Sequence, residues 1–462
     1  MEVGKRRSSH LPRTIVVTAV FIALLFIAQG LFLTGEIPSV GITTETAAIG
    51  RRTPFQLEVS ESRRGLSFVK AELIQGDRSA TLIEKTYPVS SQFLPWGSKK
   101  VDDILSGTAG LENMPGLKEG KALIRVTTCR ASTWLRHPDP DIYEISLQVR
   151  LTPPSLEVTS TQIYVTQGGC ELVTYRIDNT VVRDGVQSGS WWFPGYPIPG
   201  GNEQERFALF AAPYDMERPD IRLIAVDDAG NEAQKDFIDR FLAKRFKTDT
   251  LHISDAFIER VVPDILSQSP EIEDRGDPLE NYLAINRELR LKNAETIKNL
   301  AQKSKSEFLW TKPFQMLPNS KVMATFGDRR TYIYDNKTID TQVHLGYDLA
   351  SIRKAEIPSP NSGIVLFAGF LGIYGNTVIV DHGYGLTSIM GHLSSIAVAE
   401  SQEISRGEII GRTGATGLAG GDHLHYGILL QGLPVNPLEW SDSNWIHNRL
   451  SEKLGAASPF TE

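Results

Sequence analysis

Histidine is concentrated in one part of this 462-residue chain, because five of its nine histidines lie between residues 344 and 425. His344 and Asp348 are four residues apart, which would place both on one face of a helix, but Gly346 between them disfavours a helix. Residues an even number apart also project to one side of an extended strand, and we favour that interpretation. Imidazole and carboxylate groups brought together in this way are ligands for a divalent metal ion.

A second pair and a single histidine complete a set that could carry out hydrolysis. His423 and His425 are two residues apart, so a strand would present both imidazoles to one cleft. Zinc in hydrolases usually keeps three nitrogen or oxygen ligands and a fourth position for water, a requirement that His344, Asp348 and one histidine of the 423/425 pair meet. The other histidine of that pair and His392, at the end of a predicted hairpin, would then activate the water, stabilise the oxyanion and protonate the leaving amine.

The stretch from about residue 322 to 440 resembles the lysostaphin/LytM-type zinc endopeptidases, a family that cuts peptidoglycan cross-links. The resemblance consists of an ordered series of motifs: Thr325-Phe326-Gly327, His344-x-Gly346-x-Asp348, Tyr374-Gly375-Asn376, His382-Gly383, Gly391-His392-Leu393, Gly411-x-x-Gly414-x-Thr416-Gly417 and Asp422-His423-Leu424-His425-Tyr426. It implies that His344, Asp348 and His425 bind Zn2+ and that His392 and His423 are catalytic. It also implies a compact antiparallel β domain with a groove above the metal.

Two positions depart from the family pattern. Asp422 stands where a proline is frequent before the His-x-His pair, and Gly427 stands where many relatives carry glutamate. Neither is expected to bind the metal, so these departures concern the groove. Tyr374 and Asn376 could line that groove or form a structural turn. Of the remaining histidines, we expect a structural role for His382 and surface or helper roles for His10, His137, His252 and His447.

The N-terminal residues predict a membrane segment. Basic residues (Lys5, Arg6, Arg7 and Arg13) precede a stretch of 22 uncharged residues, 14–35, which is long enough to cross a bilayer as a helix. The basic tail, residues 1–13, predicts a cytoplasmic N-terminus with the rest of the chain on the cell-wall, periplasmic side. A cleaved signal peptide is the alternative, because Ala28-Gln29-Gly30 offers a cleavage site. The apolar run continues past Gly30, so we favour an uncleaved anchor.

Two segments of alternating apolar and polar residues follow the anchor, and they predict strands with one buried face. Such alternation occurs at Phe55, Leu57 and Val59, and again at Tyr143, Ile145, Leu147, Val149 and Leu151. We expect a β-sandwich-like module over residues 37–152 and an immunoglobulin-like module over 153–240. The aromatic cluster in the second module (Trp191, Trp192, Phe193 and Tyr196) favours core packing over a binding patch.

The hydrophobic period changes to that of a helix over residues 250–305, which we interpret as a helical linker. Ser254 is a plausible N-cap, Pro263 should kink or end the first helix, and Asp277 with Pro278 should open a second one. An apolar stripe along the second helix should pack on a neighbouring domain. The peptidase domain is expected over residues 313–445, followed by a C-terminal tail over 446–462 that frays from residue 451. The predicted fold class is therefore multidomain and mainly β.

Composition limits the functional classes. A net charge of -7 argues against nucleic-acid binding, and 41% hydrophobic with 22% charged residues is typical of globular protein. Two cysteines, Cys129 and Cys170, are too few for a disulfide framework or a thiolate metal site. They could pair in an oxidising compartment, but they lie in different predicted modules, so we favour free thiols over a bridge. The sequence predicts a membrane-anchored zinc endopeptidase that acts on peptidoglycan peptide stems through a zinc-bound water. The alternatives are a non-enzymatic regulator that activates another cell-wall hydrolase, which would make proteins of the cell-wall machinery its partners, and a peptidase for a secreted or surface protein.

Overall fold

The structure, a computed structural model, describes residues 13–88, 100–133 and 135–460, and it is mainly β. The predicted basic tail lies outside the described residues except for Arg13. Two compact units make up the chain: Met1–Pro154 with Val226–Glu232, and Ser155–Ala225 with Ala233–Glu462. Residues 155–225 thus group with the C-terminal segment, and the division into two immunoglobulin-like modules stays a prediction.

The described residues of the first unit form one helix and eight strands. These are α1 (Arg13–Phe32), β1 (Ser39–Thr44), β2 (Ala48–Ile49), β3 (Thr53–Glu61), β4 (Leu66–Gln75), β5 (Arg78–Thr86), β6 (Val101–Ala109), β7 (Gly120–Arg130) and β8 (Asp141–Val149). The strands form a three-stranded sheet in the order β1-β3-β6 and a five-stranded sheet in the order β2-β8-β7-β4-β5. Phe55, Leu57 and Val59 on β3 are buried while Gln56 and Glu58 between them are exposed, so the predicted alternation is confirmed.

Helix α1 is apolar throughout, with a mean hydropathy of 2.6 over its most apolar window, and it is long enough to cross a membrane. Its side chains are almost all exposed. At its C-terminal end the carbonyl of Gly30 accepts a hydrogen bond from Arg64 Nη2 at 2.8 Å, and that of Leu31 accepts one from the Thr133 hydroxyl at 2.8 Å. Helix carbonyls in the last turn have no partner within the helix, and these side chains satisfy two of them. The helix fits a single-pass anchor or a signal segment.

The second unit begins with short strands that share a core with the C-terminal segment. The strands up to residue 242 are β9 (Leu156–Val158), β10 (Tyr164–Thr166), β11 (Cys170–Ile177), β12 (Val181–Ser188), β13 (Trp191–Pro194), β14 (Tyr196–Pro197), β15 (Glu205–Ala211), β16 (Ile221–Asp227), β17 (Glu232–Lys235) and β18 (Arg240–Leu242). The Tyr196 ring lies 4.7 Å from that of Tyr384, centroid to centroid. Phe193 is fully buried in the common core, and Trp191 packs against it, which favours the core interpretation of this aromatic cluster.

The remaining strands of the second unit build the part of the fold that carries the histidines. They are β19 (Thr248–His252), β20 (Lys321–Ala324), β21 (Asp328–Tyr334), β22 (Lys337–His344), β23 (Tyr347–Ala350), β24 (Glu356–Pro358), β25 (Gly363–Phe370), β26 (Asn376–Asp381), β27 (Leu386–Leu393), β28 (Ser395–Ile396), β29 (Glu403–Ile404), β30 (Ile409–Arg412), β31 (Leu424–Leu430) and β32 (Leu433–Val435). A large sheet has the order β20-β23-β31-β27-β26-β25-β29, with β32 beside β31, and a three-stranded sheet has the order β19-β21-β22. Strands β26 and β27 form the predicted hairpin.

Three helical segments lie between β19 and β20: α2 (Asp255–Gln268), α3 (Pro278–Ala284) and α4 (Arg290–Ala301), with a π-helical turn, Ile285–Leu289, joining the last two. The Ser254 hydroxyl and the Asp277 carboxylate cap α2 and α3 as predicted. Of the two outcomes predicted at Pro263, a kink or an end of the helix, the structure excludes the end, because α2 continues to Gln268. Pro263 faces solvent, where water can satisfy the carbonyl that loses its partner, and the apolar face on either side stays buried.

The apolar stripe of these helices packs on the histidine-bearing domain, as predicted. Tyr282 and Leu289 share a hydrophobic cluster with Tyr332 and Ile373. Further along the chain, Ile297 packs in a second cluster that includes residues of β26, β27 and β31. The helical segment therefore belongs to the same compact unit as the domain that follows it.

The C-terminal residues are helical and packed, so the prediction of fraying from residue 451 is wrong for the described residues up to 460. They form α5 (Pro437–Ser441), α6 (Ser443–Ile446), a π-helical turn (His447–Ser451), α7 (Glu452–Leu454) and a 3-10 turn (Gly455–Ala457). Leu450 and Leu454 are buried. Lys453 Nζ donates to Glu171 Oε1 and to the Leu172 carbonyl, both at 2.8 Å. This buried ion pair fixes α7, and nothing in the local sequence signals it.

Glu439 on α5 gives this unit a pH-dependent stability. Its Oε2 accepts a hydrogen bond from Cys170 N at 2.7 Å, but burial is the stronger effect and raises the pKa of Glu439 from 4.5 to about 8. The folded-state pKa is above the unfolded one, so this residue makes stability fall as pH rises from about 4.5 to 8.

We expect Glu439→Gln to have the same thermal midpoint as wild type at pH 5 and a thermal midpoint about 5 °C above that of wild type at pH 8. An equal difference at both pH values would contradict this.

Candidate functional site

His344 and Asp348 lie on different strands, contrary to the prediction of one extended strand. His344 is the last residue of β22, in the three-stranded sheet, and Asp348 lies on β23, in the large sheet. The chain passes from one sheet to the other at Leu345 and Gly346, and this corner interrupts the strand. The two side chains still meet, with His344 Nε2 2.9 Å from Asp348 Oδ1.

His425 completes a cluster of three ligand atoms. It lies on β31 directly opposite Asp348 in the antiparallel pairing with β23. Its Nδ1 is 3.1 Å from Asp348 Oδ1 and 3.2 Å from His344 Nε2. All three residues are largely buried. The structure therefore brings together the three residues for which the sequence predicts a metal site.

Hydrogen bonds from outside the cluster orient His344 and Asp348. His344 Nδ1 lies 3.0 Å from the Thr325 carbonyl oxygen, which can only accept, so Nδ1 carries the proton and Nε2 presents a lone pair. Asp348 Oδ2 accepts a hydrogen bond from Arg330 Nη2 at 2.8 Å, which orients the carboxylate. His425 Nε2 is buried without a hydrogen-bond partner among the described residues. Two imidazole nitrogens and a carboxylate oxygen facing one point fit a divalent cation such as zinc.

The electrostatics of the cluster keep Asp348 ionised. Burial alone would raise the pKa of Asp348, but its close contacts with His344, His423 and His425 outweigh that effect and hold the pKa well below its usual range. Burial lowers the pKa of His425 to about 4, despite the attraction of Asp348, so this imidazole is neutral. An anionic carboxylate and a neutral imidazole are the forms that bind a metal.

His392 and His423 lie next to the cluster, with ring centroids 4.8 Å apart. His392 stands near the end of β27 with a φ of +65°, in the left-handed region that is rare outside glycine, and His423 precedes β31. His392 Nδ1 is 2.8 Å from the Thr416 carbonyl oxygen, and His423 Nδ1 is 2.8 Å from that of Gly421. Each Nδ1 therefore carries a proton, and each Nε2 is left to accept or release one.

The two imidazoles differ in basicity. Burial and the neighbouring histidines lower the pKa of His392 well below its ordinary value, so this ring is neutral. Burial also acts to lower the pKa of His423, but Asp348, whose Oδ1 lies 3.5 Å from His423 Nε2, outweighs it and raises this pKa. A cation bound at Asp348 would oppose that effect. A pair of adjacent groups with different proton affinities is suited to acid and base roles.

These residues form one side of a cavity of about 390 Å3. Tyr374 lines it, with its ring centroid 5.3 Å from that of His425. Asn376, by contrast, has a structural role, because its side-chain amide donates a hydrogen bond to the Leu393 carbonyl at 3.1 Å. Strand β19 contributes His252 to the cavity wall, a placement that the sequence does not predict.

The other positions singled out in the sequence have structural roles. Both ring nitrogens of His382 have partners, Nδ1 with the Ser362 carbonyl and Nε2 with the Ser388 hydroxyl, each at 2.8 Å. Asp422 accepts hydrogen bonds from the Thr413 hydroxyl and from Lys354 N, which fixes the loop before His423. A Cβ at Gly427 would lie 2.8 Å from Ile389 Cγ2 on the neighbouring strand, so a glutamate has no room there. Cys129 and Cys170 are free thiols.

Gly346 is required by the close approach of His425. A Cβ at position 346 would lie 2.6 Å from His425 Cε1 and 2.8 Å from the Tyr426 carbonyl oxygen. We therefore expect Gly346→Ala to displace the His425 ring, to destabilise the second unit by about 1–3 kcal/mol and to reduce bound metal. Gly421→Ala is the matched control, because a Cβ there meets nothing within 4 Å. Thermal unfolding and elemental analysis of both variants test this, and equal metal content in the two would contradict it.

Comparison with known proteins identifies the domain. The model of Peptidase family M23 matches residues 342–437. The DD-carboxypeptidase/endopeptidase Mpg of Neisseria meningitidis serogroup B is 37% identical over 97 residues, which cover 21% of this chain and 22% of that protein. The peptidoglycan DD-endopeptidase ShyA of Vibrio cholerae is 27% identical over 172 residues, 37% of each chain. The murein hydrolase activator NlpD of Salmonella typhimurium is 34% identical over 96 residues, 21% of this chain and 25% of that one.

The aligned segments thus cover between about a fifth and two fifths of the length of these relatives. The matched segment contains His344, Asp348, His392, His423 and His425. Outside it lie α1, the first unit and the helices α2 to α4. The C-terminal part of this chain, over residues 342–437, is a domain of Peptidase family M23.

Proposed function

We propose that this chain is a zinc metallo-endopeptidase that hydrolyses peptide cross-links of peptidoglycan. The observation that carries the proposal is the convergence of His344 Nε2, Asp348 Oδ1 and His425 Nδ1 within 3.2 Å of one another. Two lone pairs and a carboxylate oxygen at such distances repel one another unless a cation or proton lies between them. The relatives Mpg and ShyA carry names that denote peptidoglycan or peptide hydrolysis, which supports the substrate class.

His344, Asp348 and His425 would hold the zinc ion. When bound, zinc lowers the pKa of a coordinated water and polarises a carbonyl group. Two neighbouring groups hold the ligands in suitable form: the Thr325 carbonyl fixes the tautomer of His344, and the Arg330 guanidinium orients the Asp348 carboxylate. The buried position of the cluster strengthens these electrostatic interactions, because less water screens them.

His392 and His423 would move protons during hydrolysis of the amide. Their Nδ1 protons are committed to the carbonyls of Thr416 and Gly421, so exchange takes place at Nε2. The neutral Nε2 of His392 can hold a proton taken from the attacking water. His423 can supply one at Nε2 to the departing amine. Either ring, when protonated, also stabilises a developing oxyanion.

Metal removal and restoration test the enzymatic part of the proposal. We expect purified full-length protein in detergent to contain one zinc per chain and to solubilise dye-labelled peptidoglycan by itself. Treatment with a chelator should abolish this activity, and added zinc should restore it. Activity that survives complete removal of the metal would contradict the proposal.

A second candidate function is the activation of another cell-wall hydrolase. It is favoured by the similarity to NlpD, a murein hydrolase activator, over the M23 segment. The two functions differ in what the purified chain does alone. An activator would leave peptidoglycan intact by itself and would increase hydrolysis by a second enzyme, even with His392 and His423 both replaced by alanine. The complete set of histidines and Asp348 favours the enzyme.

We infer further that α1 anchors the chain in the membrane with the M23 domain on the cell-wall side. Peptidoglycan lies only on that side, so the proposed activity requires this orientation. We expect the protein to remain in the membrane fraction after a carbonate wash and to leave it only with detergent. External protease should degrade all but a short N-terminal stub. A soluble product that begins near Leu31 would indicate signal cleavage, whereas protection of the M23 domain from protease would contradict the orientation and with it the activity.

A further inference from the structure

One side of the cavity is formed by residues that lie outside the M23 match. We refer to Asp255–Ala301, which contains α2, α3 and α4, as the helical wall. Four of its residues line the cavity together with the metal-site cluster: Phe257, Tyr282, Asn286 and Arg290. A substrate that reaches the histidines from this side must therefore contact the helical wall.

The helical wall is fixed to the loops around the site. Arg260 Nη2 donates to the Ala419 carbonyl at 2.8 Å, and Asn293, which is buried on α4, accepts from Ile373 N at 3.0 Å. A Cβ at Gly372, whose φ is +43°, would lie 2.4 Å from Asn293 Oδ1. The contact between α4 and the loop before Tyr374 is thus close enough to require glycine. The side chains of the wall are held at defined positions relative to the site.

Arg290 is the charged residue among these four, and its guanidinium is held in place by hydrogen bonds within the helical wall. Its Nε donates to the Asn286 carbonyl at 3.0 Å, and its Nη2 donates to Asn286 Oδ1 at 2.7 Å. The side-chain amide of Asn286 is fixed in turn by Asp340 Oδ2 at 2.7 Å. Both protons on Nη1 and one on Nη2 remain available, which is the pair of donors that binds a carboxylate with two parallel hydrogen bonds.

No carboxylate pairs with Arg290 among the residues that the structure describes. The other guanidinium in the cavity, that of Arg330, is already bonded to Asp348 at 2.8 Å. Asp348 is the single carboxylate among the cavity-lining residues in the described part of the chain. A cavity that contains Arg290 without a counter-ion is suited to an anionic ligand.

We propose that Arg290 is a specificity-determining residue that binds a free carboxylate of the peptide substrate. The proposal rests on the proposed function for the reaction itself, and it adds a requirement for an acidic peptide. That carboxylate could be the C-terminal carboxylate of a stem peptide or a side-chain carboxylate near the scissile amide. The two share one chemistry, and the substrates of the test distinguish them.

The test compares wild type, Arg290→Gln and Arg290→Lys in the full-length, zinc-loaded protein. The substrates are a synthetic cross-linked stem peptide with all carboxylates free and two analogues, one with the C-terminal and one with the side-chain carboxylates amidated. Loss of a charged, two-point hydrogen bond should lower kcat/KM of Arg290→Gln about 10- to 100-fold on the free acid, mainly through KM. Wild type should lose a similar factor on whichever analogue lacks the recognised carboxylate, and Arg290→Gln should lose nothing more there. Arg290→Lys should lie between the two.

The control is Lys292→Gln, which removes a positive charge from the exposed face of the same helix. It should behave as wild type on every substrate. Zinc content and thermal midpoint verify that each variant is folded. An equal loss by Arg290→Gln on the free and both amidated substrates would overturn the proposal. If wild type hydrolyses none of the peptides, the proposed function fails instead. Calorimetric binding of the same peptides then decides the role of Arg290. Equal affinity of wild type and Arg290→Gln for the free acid would overturn the proposal for Arg290.

Discussion

His344→Ala and Asp348→Ala should each reduce the zinc content from one ion per chain to below about 0.1, and peptidoglycan hydrolysis should fall to background. Each substitution leaves two protein ligands, which hold a catalytic zinc poorly. Asp348 has the larger electrostatic role, because its carboxylate is, among the residues that the structure describes, the single anion in contact with His344, His423 and His425. Elemental analysis of the purified variants measures the outcome.

The matched control is His447→Ala, which removes an exposed imidazole that belongs to the same unit but not to the metal-site cluster. It should retain one zinc and full activity. Wild-type zinc content in both His344→Ala and Asp348→Ala would refute the ligand assignment. Loss of metal from the control as well would point to general destabilisation, and the thermal midpoints would show it.

Replacement of His392 or His423 by alanine should have the second-largest effect, a loss of hydrolysis of about a hundredfold or more with zinc content unchanged. The physical reason is that both present Nε2 to the cavity while their Nδ1 protons are bound to backbone carbonyls. Neither is required to complete a set of three ligands. Steady-state rates and elemental analysis on the same preparations separate a catalytic defect from a metal-binding defect.

The His-x-His pair provides an internal comparison of the two roles. His425 Nδ1 lies 3.1 Å from Asp348 Oδ1, whereas His423 Nε2 lies 3.5 Å from the same atom. His425→Ala should therefore lose zinc, and His423→Ala should keep it. If His423→Ala lost the metal and His425→Ala retained it, the assignments within the pair would be reversed.

The site could be predicted from the sequence to the extent that it depends on short-range geometry. Residues two apart on a strand share a face, and His423 and His425 do enter one cavity. The resemblance to lysostaphin-type enzymes selected the same histidines that the structure brings together with Asp348. Capping of α2 and α3 by Ser254 and Asp277 was also predictable, because a cap is a contact between residues two or three positions apart.

Features that depend on distant parts of the chain were not predictable in this way. The corner at Gly346 exists because His344 and Asp348 belong to different sheets, and a local pattern contains no information on sheet membership. The C-terminal helices are fixed by Lys453, whose partner Glu171 is 282 residues away. The predictions of one strand through His344 and Asp348 and of a frayed C-terminal segment were wrong because both features depend on contacts between distant residues.

Arg330 and Arg290 were missed for the same reason, although they are close to the site. Arg330 lies three residues after the Thr325-Phe326-Gly327 motif, a position that could have suggested a role beside the metal. Arg290 had no such signal, because it stands in a helix whose sequence pattern predicts only packing. Its importance follows from the placement of α4 against the loop at Ile373, a contact between residues 80 positions apart.

Mass analysis of the muropeptides released from isolated peptidoglycan by the purified, full-length, zinc-loaded chain tests the central claim most directly. We predict that cross-linked muropeptides disappear and that uncross-linked products accumulate, with the mass of one water added for each bond cut. The reaction should stop with a chelator and with His392→Ala. Unchanged muropeptides in the presence of the zinc-loaded chain alone would contradict the account, and increased product on addition of a second wall hydrolase would then identify the chain as an activator.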